Sequence, residues 1–195
     1  MARFVDRWDD DWCPAELHHQ MGYWWATQDY KLQMVAQQEM WEDLYVEGYS
    51  DAQYDHHPRS HGGHLASIVG HAGTRLPQEW ESKLQGSTGM NSGDTESIQW
   101  GRCARTLVKL AAMMERTRAT RVQIVGKVDN DALRLAVERG SSNRLGILSR
   151  QGDVSFKFLK EAGLIPIRVD TGDNVADIFT KIMGRLKLAY LIAPY

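Results

Sequence analysis

Apolar residues recur at helical spacing through the first 43 residues of the chain and at strand spacing directly after them. Between Pro14 and about Asp43, Leu17, Met21, Tyr23, Trp24 and Trp25 cluster loosely on a helical period, as do Leu32, Val35, Met40 and Trp41. That pattern predicts one or two amphipathic helices. From Leu44 the period shortens, and Leu44 to Asp51 reads as a strand ending at Asp51. A turn of His, Pro, Ser and Gly follows from Asp55 to Gly63, then a strand from His64 to Gly70 and a third from Glu79 to about Leu84. Thr95 to Arg116 reads as a long helix, with Asp94 or Thr95 as its cap and Ile98, Cys103, Leu107, Leu110, Ala111 and Met114 as its apolar stripe. Arg121 to Val128 is β-branched and predicts a fourth strand running into Asp129. Short helices are expected over Asp131 to Glu138 and Gly152 to Ala162, a fifth strand over Ile165 to Val169, and a last helix from Asn174, its candidate cap, to about Leu188. The order βββαβαβα predicts an α/β fold (an α+β mixed sheet of five strands): a meander first, then strands joined by helical crossovers. Residues 1–43 form a helical, Trp-rich extension and residues 44–195 the main domain.

Bulk composition narrows this little. A chain of 195 residues suits one domain with an extension, and 43% hydrophobic and 25% charged residues are ordinary for a globular protein. The apolar runs fall short of the roughly 18 residues a membrane span needs. Met1-Ala2-Arg3-Phe4-Val5-Asp6 has no signal-peptide core. An intracellular place, cytoplasmic or nuclear, is expected. Two cysteines, Cys13 and Cys103, make neither a disulfide framework nor a zinc knuckle. The net charge of −2 is uneven: residues 1–43 carry −6 and the remainder +4. A mildly basic body suits a nucleic-acid partner without demanding one. The extension also holds five of the seven tryptophans. It reads either as a cap on the domain or as a surface for a protein partner, since tryptophan is favoured at interface centres.

Four acids stand at the edges of these elements: Asp51 and Asp129 at strand ends, Glu96 and Asp177 at helix starts. If the first and fourth strands are neighbours, Asp51 and Asp129 stand side by side. Carboxylates crowded together repel and are tolerated where cations neutralise them. Magnesium fits, because it takes hard oxygen ligands while keeping waters and substrate phosphates. Two such ions about 4 Å apart suit metal-assisted cleavage of a phosphodiester.

The strings around these acids carry a resemblance. Gly48-Tyr49-Ser50-Asp51-Ala52, Pro77 to Lys83 with its Trp-x-Ser-Lys core, Asp94-Thr95-Glu96, Val128-Asp129-Asn130 and Val175-Ala176-Asp177-Ile178-Phe179-Thr180-Lys181 follow one another in order. The ordered set resembles the ribonuclease H domain at the C-terminal end of copia-type retrotransposon polyproteins, from about Gly48 to Lys187. That resemblance implies a ribonuclease H-like fold, two Mg²⁺ (or Mn²⁺) held by Asp51, Glu96, Asp129 and Asp177, and cleavage of the RNA strand of an RNA–DNA hybrid. The chain departs from the family pattern at Ser97-Ile98-Gln99, Leu145 to Leu148 and Ile182-Met183. The acids are kept while substrate-side residues differ. No histidine follows His71, so a protein-derived proton shuttle is not evident. The rival expectation is a catalytically inactive, domesticated ribonuclease H-like module serving as a structural or protein-binding subunit.

Two further groups have two readings each. His56, His57, His61, His64 and His71 could bind a transition metal or simply vary within a turn. Arg102, Arg105 and Lys109 share a helix face, either solvated or a phosphate-contacting ridge that Arg116, Arg118, Arg121, Arg134, Arg144 and Arg150 could extend. Asn130, beside Asp129, is a further candidate contact to nucleic acid.

Overall fold

The computed structural model describes residues 13–29, 33–54, 60–86, 89, 91–142 and 156–195. The chain divides into two compact units, Met1–Gln33 and Met34–Tyr195. In the first, a helix, α1, spans Cys13–Thr27 and leaves Met21, Trp24 and Trp25 exposed. Residues 34–43, placed in the extension by sequence, fall within the second unit. There Val35 and Arg75 exchange backbone hydrogen bonds of 2.9 and 2.7 Å. The Glu39 carboxylate accepts from the backbone N–H groups of Ala72 and Thr74 at 2.8 and 2.9 Å, closing the turn after the second strand.

The second unit contains β1 (Tyr45–Gln53), β2 (His61–Val69), β3 (Arg75–Leu84), α2 (Ser92–Arg118), β4 (Ile124–Val128), α3 (Asp131–Arg139), α4 (Phe156–Glu161), β5 (Leu164–Arg168) and α5 (Arg185–Ile192). Two 3-10 turns, Thr171–Asp173 and Val175–Phe179, precede α5. The five strands form one sheet in the order β3-β2-β1-β4-β5. The short links make β1, β2 and β3 antiparallel, and the helical crossovers make β1, β4 and β5 parallel. This is the mixed sheet expected from sequence, with β1 and β4 as neighbours.

The core lies between the sheet and α2. Gly48 of β1 and Gly126 of β4 pair directly across the strands. A Cβ on Gly126 would lie 1.8 Å from the Trp100 ring, and one on Gly48 would lie 2.7 Å from the Cys103 sulfur. Trp100, Cys103, Ala104 and Leu107 are fully buried there. The missing side chains therefore form a saddle into which α2 settles. A tryptophan buried in this way contributes on the order of 2–3 kcal/mol from its area alone.

Several element boundaries differ from expectation: β2 begins at His61 rather than His64, β4 begins at Ile124 rather than Arg121, and three more have a local cause. The long helix begins three residues early. Asn91, not Asp94 or Thr95, is its cap, with its side-chain oxygen accepting from Asp94 N at 3.0 Å. Ser92-Gly93-Asp94 carries no apolar signal, so the first turn is invisible to periodicity. The third strand begins at Arg75, because β3 is an edge strand and tolerates Pro77. The last helix is broken into the 3-10 turn Val175–Phe179 and α5. Thr180 leaves helical geometry at φ −121° and Gly184 starts the next helix. Of the helix expected over Gly152 to Ala162, residues 152–155 lie outside the described residues. Among the described residues, no helix is long and apolar enough to cross a membrane.

Replacing Gly126 by alanine should lower stability by about 1–3 kcal/mol, the cost of overpacking a closed core. Urea unfolding would read this as a lower midpoint at unchanged slope. An unchanged midpoint would mean that α2 can lift off the saddle.

Candidate active site at the end of the central strands

Tyr49 of β1 pairs with Lys127 of β4 in parallel register. Two residues further along each chain come Asp51 and Asp129. A strand turns every second side chain to the same face, so the two carboxylates end up in one row. Glu96 arrives from the second turn of α2 rather than the first, since the helix begins at Ser92. Two amides fix it. Gln85 Nε2 donates to the Thr95 carbonyl at 2.8 Å, tying the end of β3 to α2, and Asn130 Nδ2 donates to Glu96 Oε2 at 2.5 Å. The Asn130 oxygen meanwhile caps α3 by accepting from Ala132 N and Leu133 N at 2.9 and 3.2 Å.

Asp177 comes from the 3-10 turn, which rests on β2 and β3. Ser82 Oγ donates to the Phe179 carbonyl at 2.7 Å, and a Cβ on Gly63 would lie 2.4 Å from Phe179 Cβ. Gly63 itself pairs with Asp51. From this turn, Thr180 Oγ1 donates to one Asp51 oxygen. Lys181 Nζ lies 2.6 Å from Asp177 Oδ1 and 3.4 Å from Asp51 Oδ1. Sequence assigned no role to Thr180 or Lys181. The available signal was spacing, since Lys181 follows Asp177 by four residues.

All four acids share one field. Burial, then the Asp51 charge, pushes the Asp129 carboxyl above its ordinary range. Glu96 is also raised, by burial first, with Asp129 and Asp51 adding and Asn130 opposing. Asp177 is raised by burial first, against the pull of Lys181. Burial works against the charge on Lys181, but Asp177 and Asp51 outweigh it and hold the ammonium above its ordinary value. The structure thus brings Asp51, Glu96, Asp129 and Asp177 to one end of the sheet, with Lys181 paired to Asp51 and Asp177.

No protein-family model matches the chain, and no curated protein matches it in sequence. Among solved structures the chain is similar to RNase H1 of the halophilic archaeon Halobacterium salinarum NRC-1, at 14% identity over 69% of this chain and 93% of that one, with a TM-score of 0.45. It is similar to LC11-RNase H1 in complex with an RNA/DNA hybrid, at 11% identity over 69% of this chain and 92% of that one, with a TM-score of 0.46. It is also similar to the protease-reverse transcriptase of prototype foamy virus, at 9% identity over 80% of this chain and 23% of that one, with a TM-score of 0.42.

Four carboxylates without a thiol are hard oxygen donors, the type magnesium takes. In charge and chemistry the set fits. Its side chains are not yet gathered on one point: among the described residues, no group of three or more His, Cys, Asp or Glu stands ready to hold a metal ion. Lys181 and Thr180 hold Asp51 and Asp177 instead. The histidines do not converge either. His61 bonds to Ser82, His64 is buried between Gln99 and Glu79, and His71 lies against the Tyr45 ring. His56 and His57 lie outside the described residues, as do Arg144 and Arg150. On the α2 face, Arg102 is engaged by Glu81 at 3.1 Å, while Lys109 is exposed. Arg118 donates to the Leu44 carbonyl at 2.6 Å, and Arg134 pairs with Asp131 and Glu138.

Lys181→Met should destabilise the metal-free protein at neutral pH by about 1–2 kcal/mol. That is less than the ~3–5 kcal/mol for breaking a fully buried pair, because the ammonium is still partly exposed. The cost should shrink near pH 4–5. Carboxyls raised in the folded state stabilise it below their unfolded range and lose that contribution as pH rises through the raised values. Without Lys181 they rise further. A cost that is flat with pH would sink the counter-ion role.

Proposed function

We propose that the chain is a ribonuclease H-like endonuclease of the copia-type retrotransposon kind, cleaving the RNA strand of RNA–DNA hybrids by two-metal-ion hydrolysis. The observation that carries this reading is the delivery of four carboxylates from β1, α2, the end of β4 and the last 3-10 turn to one end of the sheet. Their separation along the sequence makes a chance cluster of surface acids a poor account. Asp51, Glu96, Asp129 and Asp177 would hold Mg²⁺, with Mn²⁺ as a substitute. Bound there, the ions would activate the attacking water and stabilise the leaving oxygen of the phosphodiester.

The protein's own part is positioning and charge. Asn130 holds Glu96 toward the cluster while capping α3. Thr180 and Lys181 keep Asp51 and Asp177 compensated until a stronger cation arrives. Exposed Lys109 on α2 would offer positive charge to a phosphate backbone, while Arg102 is paired with Glu81. Recognition by A-like shape and 2′-hydroxyls, rather than by sequence, suits a site with few groups able to read base edges.

A second reading is favoured by one observation, the lysine already neutralising two of the four acids. In it the module is catalytically silent and acts as a structural or protein-binding subunit, with residues 1–43 facing a partner. Metal titration separates the two. Under the nuclease reading, millimolar Mg²⁺ raises the melting temperature, as any ligand of the native state must. Under the second reading it does not.

The deciding assay is cleavage of a labelled hybrid in Mg²⁺ and in Mn²⁺. The wild-type protein should degrade the RNA strand. Asp129→Asn should lose at least a hundredfold in rate while keeping its circular-dichroism spectrum. Equal rates for the two proteins would refute the assignment.

A further inference from the structure

Asn174 is fully buried at the point where three chain segments meet. Its side-chain oxygen accepts from Ala176 N at 3.1 Å, and its backbone oxygen accepts from Asp177 N at 3.1 Å, which together start the 3-10 turn. Its side-chain nitrogen donates to the carbonyl of Ser50 at 3.0 Å, across 124 residues of sequence. Ser50 immediately precedes Asp51. Asn174 also helps the Asp129 carboxylate keep its charge. Both ends of the amide are therefore in use, with the acceptor on the turn and the donor on the end of β1.

A cap alone does not require this residue. Ser, Thr and Asp accept from a helical N–H as well as Asn does. Asp has no donor to offer the Ser50 carbonyl from the same position, and the hydroxyl of Ser or Thr is shorter than the amide that spans the turn and β1. An aspartate there would set its charge against the Ser50 carbonyl and close to Asp129. The choice of asparagine follows from the tie to Ser50, not from the turn.

We infer that Asn174 is a positioning residue that fixes Asp177 in register with Asp51, so that the two carboxylates are presented to a common cation. This rests on the nuclease reading for what the cation does, but the positioning itself is a property of the metal-free protein. It is distinct from the ligand roles of the four acids, because the amide oxygen is already taken by Ala176 N.

Asn174→Ser keeps the cap and removes the tie to Ser50. Asn174→Asp keeps both the cap and the shape, and it carries the same comparison should the serine variant fail to fold. Each is compared with the wild-type protein in a Mg²⁺ titration followed by melting temperature. The expected result is a midpoint at tenfold or more higher Mg²⁺ in the variants. A residue that only supported the fold would lower the melting temperature equally at every Mg²⁺ concentration and leave the midpoint in place, which would overturn the inference.

A second readout separates this from the fate of the nuclease reading. Carbon-13 resonances of the Asp51 and Asp177 carboxyls, recorded without metal, should move in both variants while that of Glu161 stays. Unmoved resonances overturn the positioning role whatever the metal does. Moved resonances in a wild-type protein that ignores Mg²⁺ would uphold the positioning and refute the nuclease.

Discussion

The closeness of α2 to the sheet governs the rest of the structure. Gly48 and Gly126 stand opposite each other on the two central strands, and Trp100 fills the space their missing side chains leave. With the helix axis pinned there, Glu96, about one turn before Trp100, must emerge at the strand ends that carry Asp51 and Asp129. Any side chain in the saddle would lift α2 and carry Glu96 away with it. A packing choice in an apolar core thus sets the geometry of a charged site several residues distant, and does so through rigid elements rather than through flexible contacts.

The acid cluster is a local conflict that the fold sustains. Burial and mutual repulsion push Glu96, Asp129 and Asp177 toward their neutral forms. The hydrogen bond from Asn130 to Glu96, the nearby Asn174 amide at Asp129 and the charge of Lys181 pull the other way. Natural sequences agree across levels nearly everywhere and keep such conflicts where function needs them. Elsewhere in this domain the charges are arranged without strain: Arg134 lies between Asp131 and Glu138, and Lys127 lies 3.6 Å from Glu47.

Much of this was legible beforehand, for reasons that differ by element. The five strands and their mixed order followed from the change of period at Leu44 and from β-branched runs ending at acids. The neighbouring places of Asp51 and Asp129 were conditional on β1 and β4 pairing, which the parallel register supplies. The start of α2 did not, because Ser92-Gly93-Asp94 has neither apolar spacing nor strong helix formers. The 3-10 form of the segment holding Asp177 was also hidden, since Val175 to Leu188 reads as one helical stripe. It breaks because Thr180 turns its hydroxyl to Asp51, a partner 129 residues away. Asn174 was legible as a cap and Lys181 by its spacing from Asp177, whereas the ties of Asn174 to Ser50 and of Thr180 to Asp51 are tertiary facts that local pattern does not record.

The tie between Ser50 and Asn174 spans 124 residues. Loop closure of that length is slow compared with forming α2 or the β1–β2 hairpin. During synthesis from the N-terminus, the first three acids leave the ribosome well before the segment that supplies the fourth acid and its lysine. The cluster therefore stays incomplete until the segment that carries Asn174, Asp177 and Lys181 has been made. A site assembled in this order gains its fourth acid and its counter-ion together, as one late event in folding.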